Sequence, residues 1–304
     1  MYADLVCKGG GVKGIALVGA LSFFEEEGYV WQRAAGTSVG AIVASLVAVG
    51  YSASEIRNIM FDLDYNKFVD KNKLQSIPLF GPLTSLYVSK GLHSGDYVEN
   101  FLRDKFERKG KKYFKDIYVD GESRLKVVAT DVTRHKLIIL PDDLVEYNIN
   151  PLDFEIAKAV RMSLSIPFFF EPVILYAGKT PCYIVDGGLL SNFPIWIFDV
   201  EDNPRWPTFG LNLYNNVQKP SNNKNGFIPY LIDVIETSLE TSEEIYFKDC
   251  DAVRIVNIPT LGINTLDFDI SNEQMKALYK SGYFSAKSFL ENWDFNAYLK
   301  HYRA

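Results

Sequence analysis

Apolar and polar positions along this chain follow two rhythms. Short apolar runs read as buried strands at Ala3 to Cys7, Tyr29 to Ala35, Leu125 to Asp131, Leu137 to Leu140, Val173 to Tyr176, Tyr183 to Val185, Thr208 to Leu213 and Ala252 to Val256. Between them, apolar residues recur at helical spacing in Ile15 to Glu27, Ser38 to Gly50, Glu55 to Leu63, Pro151 to Met162, Phe227 to Phe247 and Ser271 to Leu290. Another helix is predicted from Ser94 to about Arg108, and Ser54 and Ser94 stand where a hydroxyl cap belongs. Gly28 stands where the first helix should stop. Strands alternating with helices predict an α/β fold of three α/β/α layers around a central, mostly parallel sheet. Sites in such folds lie at the carboxyl ends of strands. Residues 66–95 lack a clear period, and a stretch this long is often a lid or mobile loop. Lys219 to Gly226 reads as a polar surface loop rather than a boundary, so residues 1–304 are expected to form a single domain.

Composition narrows the function classes. The chain has 304 residues, 47% of them apolar, which is ample for a core. The aromatic share of 14% fits a large core, or a lipid-facing surface as well. A net charge of −6 argues against nucleic acid as a partner, because that role wants a basic surface. The local cluster Lys105, Arg108, Lys109, Lys111, Lys112 and Lys115 reads as a solvated helix end and loop. Cys7, Cys182 and Cys250 are scattered and odd in number, which suggests neither zinc nor a disulfide framework and fits a reducing compartment such as the cytoplasm. The apolar run Ile15 to Phe24 imitates a signal-peptide core, but Asp4 precedes it and Glu25, Glu26 and Glu27 follow where a cleavage site should be. No run reaches the roughly 18 apolar residues of a spanning helix. A soluble or peripheral protein is expected.

Three short patterns carry chemistry. Gly9-Gly10-Gly11-Val12-Lys13-Gly14 lies between a predicted strand and helix. It satisfies G-x-G-x-x-G, so a nucleotide-binding module is one reading. The fingerprint then needs an acidic residue closing the second strand, and Val30-Trp31-Gln32 runs into Ala34-Ala35-Gly36-Thr37-Ser38 without one. What remains is a loop of backbone N–H groups at a helix N-terminus, able to hold a phosphate or a transient oxyanion. Gly36-Thr37-Ser38-Val39-Gly40 follows a strand and opens a helix, the context of a nucleophile elbow. A serine nucleophile needs a base. His93, His135 and His301 read as surface residues, so a histidine triad is not expected. Asp186, in Val185-Asp186-Gly187-Gly188, closes an apolar run. It is an ordinary Asp-Gly turn or a carboxylate placed as base.

Together the three patterns resemble the patatin-like phospholipase family, whose sequence is G-G-G-x-[KR]-G, then G-x-S-x-G, then D-G-[GA]. All three occur here in order. Ser163-Leu164-Ser165-Ile166-Pro167, running to Phe170-Glu171-Pro172, and Asn192 and Pro194 resemble further family segments. The resemblance covers about residues 3–215; the helical part from 216 to 304 carries no usable motif.

The resemblance implies a lipid acyl hydrolase of the phospholipase A or lysophospholipase type. Ser38 would be the nucleophile and Asp186 the general base and acid, with an oxyanion hole of backbone N–H groups from Gly10, Gly11 and Gly9. Lys13, Gly14, Gly36, Gly40, Gly187 and Gly188 support the motifs. No metal or cofactor is implied. A carboxylate with a reference pKa of about 4 is a weak base for serine, so activity should fall in acid. The implied partners are a lipid acyl ester, transiently a membrane surface, and a protein activator of the kind some family members need. Ile77 to Tyr87 would be a docking edge or a loop packed on the core. An acyl transferase or thioesterase using the same dyad is the alternative.

Overall fold

Burial on both faces makes the first apolar runs continuous rather than alternating, as in a parallel sheet with helices on its faces. In the computed structural model, which describes residues 1–68, 86–215, 226–241 and 249–302, the strands are β1 (Tyr2–Cys7), β2 (Val30–Thr37), β3 (Gly91–His93), β4 (Tyr118–Val119), β5 (Glu122–Ser123), β6 (Leu125–Asp131), β7 (Lys136–Leu140), β8 (Phe168–Phe170), β9 (Val173–Ala177), β10 (Thr180–Asp186), β11 (Thr208–Tyr214) and β12 (Ile255–Pro259). The main helices are α1 (Gly14–Glu26), α2 (Val39–Ala48), α3 (Ala53–Phe61), α4 (Asp96–Arg108), α5 (Ile156–Ser163), α6 (Phe227–Thr241), α7 (Asn272–Leu290) and α8 (Phe295–Tyr302). The chain divides into two compact units: residues 1–63, 193–221 and 243–304, and residues 64–192 and 222–242.

The first unit holds the parallel strands in the order β12-β11-β1-β2. Leu5 pairs with Phe209, and Val6 with Gly210 and Ala35, so the two faces can be told apart. On the Phe209 face, that ring meets Phe24, Phe289 and Trp293 at centroid distances of 4.9, 5.7 and 4.9 Å, which ties α1 to the C-terminal helical region. On the other face Val6 and Ala35 pack with Phe193, Ile195, Phe198 and Ile255. Gly210 leaves the room for Phe193, whose ring would lie 2.5 Å from a Cβ there. Helix α1 is buried from Gly14 to Phe24. It crosses α7 at backbone contact: a Cβ on Gly19 would lie 1.9 Å from the Tyr279 carbonyl oxygen, and one on Gly282 1.8 Å from that of Ala16.

The second unit holds an antiparallel ladder, β7-β6-β10-β9. Helix α5 packs on β6 and β10, and α4 on α5. Several cations of the basic cluster at the end of α4 are ion-paired. Arg108 meets Asp104 (2.9 Å), Lys112 meets Glu107 (3.0 Å) and Glu155 (3.6 Å), and Lys115 meets Asp153 (3.0 Å). Arg108 and Lys115 are exposed, which fits the solvated helix end that the charge pattern suggested.

Several boundaries differ from the pattern for local reasons. The helix expected from Pro151 starts at Ile156, because Asn150 caps a separate 3-10 turn at Pro151–Asp153 and Glu155 is extended. Ser52, not Ser54, caps α3: its hydroxyl accepts from the Glu55 N–H while the Glu55 carboxylate accepts from the Ser52 N–H at 2.8 Å. At α4 the cap residue is Gly95, and Ser94 accepts from the Asp96 N–H at 3.2 Å. The strand expected from Ala252 begins at Ile255, since Asp249–Arg254 form a 3-10 turn in which Arg254 holds Asp251 and Asp199. Most of the 66–95 stretch, including Ile77 to Ser85, lies outside the described residues, as do 216–225 and the end of the helix expected to reach Phe247.

Candidate active site

Ser38 sits between the last residue of β2 and the first of α2, at φ 55° and ψ −129°. A non-glycine residue at positive φ is uncommon, and such strain clusters at functional sites. The turn is enforced from both sides. A Cβ on Gly36 would lie 2.4 Å from the Gly40 carbonyl, and one on Gly40 2.3 Å from the Cys7 carbonyl oxygen. Neither backbone can yield, so only glycine lets the elbow pack on the end of β1. The Ser38 carbonyl accepts from the N–H groups of Ala41 (2.9 Å) and Ile42 (3.3 Å), which starts α2 directly behind the serine. The positive end of that helix favours negative charge developing at the hydroxyl.

The glycine loop is built beside this elbow. Gly10 is extended, Gly11 has φ +57°, residues Gly11–Lys13 make one 3-10 turn, and α1 begins at Gly14. A Cβ on Gly14 would lie 2.3 Å from the Val39 side chain, so the loop and the residue after Ser38 touch. Lys13 of this loop and Lys8 just before it are both buried. Lys13 Nζ donates to Thr265 Oγ1 at 2.9 Å, and Lys8 Nζ donates to Asn212 Oδ1 at 2.9 Å. Asn212 in turn donates to Asn257 at 2.7 Å, a polar row from the residue after β1 across β11 and β12. The carboxylate that a dinucleotide site would place at the end of β2 is replaced by Thr37 and Ser38.

Asp186, in the second unit, closes β10 and is fully buried. Its N–H donates to the Ser165 carbonyl at 2.8 Å, and its Oδ1 accepts from the Gly188 N–H at 2.7 Å. Gly187 and Gly188 form the tight turn that holds the carboxylate, with the Gly187 carbonyl accepting from Leu190 and Ser191. The Ser163-to-Pro167 segment is the support. Ser163 donates to the Val128 carbonyl of β6 at 2.6 Å. Buried Arg161 donates to Ser165 Oγ (2.5 Å), to the Glu171 carbonyl (2.8 Å) and to the Ser94 carbonyl. Burial pushes the Arg161 guanidinium down to about 10, against the pull of Glu99, Asp96 and Glu171, so it stays charged at neutral pH.

The first unit thus gathers Gly9, Gly10, Gly11, Lys13, Gly14, Gly36, Ser38 and Gly40, and the second gathers Asp186, Gly187 and Gly188. Of the histidines, His135 lies in the β6–β7 turn as expected, at φ 53°. His93 corrects the surface assignment: it is buried on β3 against Phe169 at 4.7 Å. The side chain of His301 lies outside the described residues. Among the described residues no group of three His, Cys, Asp or Glu side chains could hold a metal ion, and no helix is long and apolar enough to cross a membrane. Sequence reasoning missed Thr265 and Arg161. Nothing local marks Thr265; the one signal that could have found Arg161 is a cation on the apolar side of a helix.

An α/β fold with a serine on a strand–helix elbow beside a glycine loop is the architecture of hydrolases that use a serine nucleophile. The family model of the patatin-like phospholipases matches residues 5–199. The chain belongs to the patatin-like phospholipase family. An uncharacterized protein, YqhO, of Bacillus subtilis is 36% identical over 97% of this chain and all of that protein. A probable lipid hydrolase, 463L, of Invertebrate iridescent virus 6 is 28% identical over 64% of this chain and 62% of its own length. Among solved structures, VipD from Legionella pneumophila superposes with a TM-score of 0.57 at 19% identity, over 95% of this chain and 66% of VipD. That likeness bears on the fold, a mixed and mostly parallel sheet flanked by helices, and this chain spans about two thirds of VipD. Family membership makes lipid hydrolysis the class of activity.

Proposed function

We propose that this chain hydrolyses carboxylic esters of phospholipids or lysophospholipids through an acyl-enzyme on Ser38. The observation that carries the reading is the strained Ser38, packed by two obligatory glycines on the end of β1 and touching the glycine loop through Val39. The Ser38 hydroxyl attacks the acyl carbonyl carbon while Asp186 takes its proton. The tetrahedral oxyanion is held by N–H groups of Gly10 and Gly11, with Gly9 completing the loop. The proton passes to the departing alcohol as the C–O bond breaks. Water, deprotonated by Asp186, then attacks the acyl-serine and releases the fatty acid. Asp186 must be ionised to begin, so turnover falls as acid protonates it. The family match runs through residues of both compact units, which supports one catalytic domain. We place the protein in the cytoplasm, where it meets its substrate at a membrane surface and where a protein activator would act.

Release of fatty acid from phospholipid vesicles tests this reading. Wild type should turn over, Ser38→Ala should fall to background, and Asp186→Asn should lose at least about 10³-fold, the scale of losing an essential base. Full activity of Asp186→Asn at neutral pH would remove the dyad.

A further inference from the structure

We propose that Thr265 is a positioning residue of the oxyanion loop, so that the segment after residue 199 completes the active site; this rests on reading Ser38 as the nucleophile. An oxyanion hole works only if its N–H groups are aimed before the reaction, so that no reorganisation is needed. A run of glycines is the backbone least able to hold itself in place, because glycine has the most freedom to lose. Something outside the loop must therefore fix it.

Thr265 is buried and does so in three ways. Its carbonyl accepts the Val12 N–H at 3.1 Å. Its hydroxyl accepts from Lys13 Nζ at 2.9 Å. Its carbonyl oxygen and methyl group occupy the space beside Gly11, at 1.9 and 2.9 Å from where a Cβ would stand. Thr265 is anchored in its turn. The Thr260 N–H and hydroxyl both bond the Tyr214 carbonyl at the end of β11, at 2.9 and 3.1 Å, and the Ile263 N–H bonds the Thr260 carbonyl at 3.1 Å. Leu261 and Gly262, both at positive φ, make the turn between. Residues 260–263 are thus tied to the sheet, and Thr265, two residues further on, is tied to the loop. Because the Val12 N–H is committed to Thr265, it is not among the donors to the oxyanion, whose holders in the proposed function are Gly10 and Gly11. Clamping Lys13 also fixes a buried cation at the N-terminal end of α1.

Thr265→Val keeps the shape, the methyl contact and the carbonyl, and removes only the hydroxyl; Thr265→Ser restores it. Steady-state hydrolysis of a soluble short-chain ester should show kcat reduced at least about 10-fold in Thr265→Val, with KM within about twofold, the pattern of a loss confined to the transition state. Thr265→Ser should recover most of kcat. In Lys13→Met, where the hydroxyl's partner is gone, adding Thr265→Val should cost little more. Wild-type kcat in Thr265→Val, failure of Thr265→Ser to recover, or fully additive losses with Lys13→Met would overturn the clamp. Activity lost in Ser38→Ala but kept in Thr265→Val removes the clamp alone, whereas activity surviving in Ser38→Ala removes the nucleophile and the clamp together.

Discussion

Ser38 holds a conformation that costs a non-glycine residue of order 1–3 kcal/mol, and it persists because the surrounding backbone enforces it. Replacing it with glycine should therefore relieve strain. Ser38→Gly is expected to be about 1 kcal/mol more stable than Ser38→Ala, read from the midpoints of chemical denaturation, while both are inactive. Equal stability of the two would mean that the elbow carries no strain. Gly40 makes the opposite case. A Cβ there would meet the Cys7 carbonyl oxygen, which belongs to β1 and cannot step aside. Gly40→Ala should cost more than about 2 kcal/mol, beyond the usual range for a surface exchange. These requirements were legible in the sequence because glycine at fixed offsets around a serine reports what the backbone must do. Thr265 was not legible, since one hydroxyl reaching back across more than half the chain leaves no spacing to detect.

Helix α1 carries the glycine loop at its N-terminus, so whatever holds α1 holds the loop. Its contact with α7 depends on Gly19 and Gly282, whose missing side chains let each helix rest on the other's backbone. Gly282→Ala would gain helix propensity of about 1 kcal/mol, but its Cβ would meet the Ala16 carbonyl oxygen. Overpacking should win, with a net loss of about 1–3 kcal/mol. Lys280→Ala, at an exposed position of the same helix, should stay within about 0.5 kcal/mol. Thermal melts of the two variants decide the matter; a stabilised Gly282→Ala would show that the helices can part without cost. Apolar periodicity revealed these helices well, because a buried helix and a buried strand differ in period. Their ends were less visible. Ser52 and Ser54 are equally good caps by composition, and only the reciprocal bond with Glu55 selects the first. The short strands β3, β4, β5 and β8 carry too few residues to show a period at all.

Across the whole molecule, the first two motifs lie close in sequence and the third far beyond them, yet each lies where a strand gives way to a helix or a 3-10 turn. Those three motifs made the class of activity readable in the sequence, and the family match over residues 5–199 agrees with it. The C-terminal part was mute in sequence because it acts through packing and a single clamp rather than through a motif. The central claim is that Ser38 is an activated nucleophile with Asp186 as its base. It is tested most directly by treating the protein with a fluorophosphonate probe and mapping the modified residue by mass spectrometry. Labelling confined to Ser38, absent in Ser38→Ala and strongly slowed in Asp186→Asn, is the predicted result. Labelling at another serine, or undiminished labelling of Ser38 in Asp186→Asn, would contradict it.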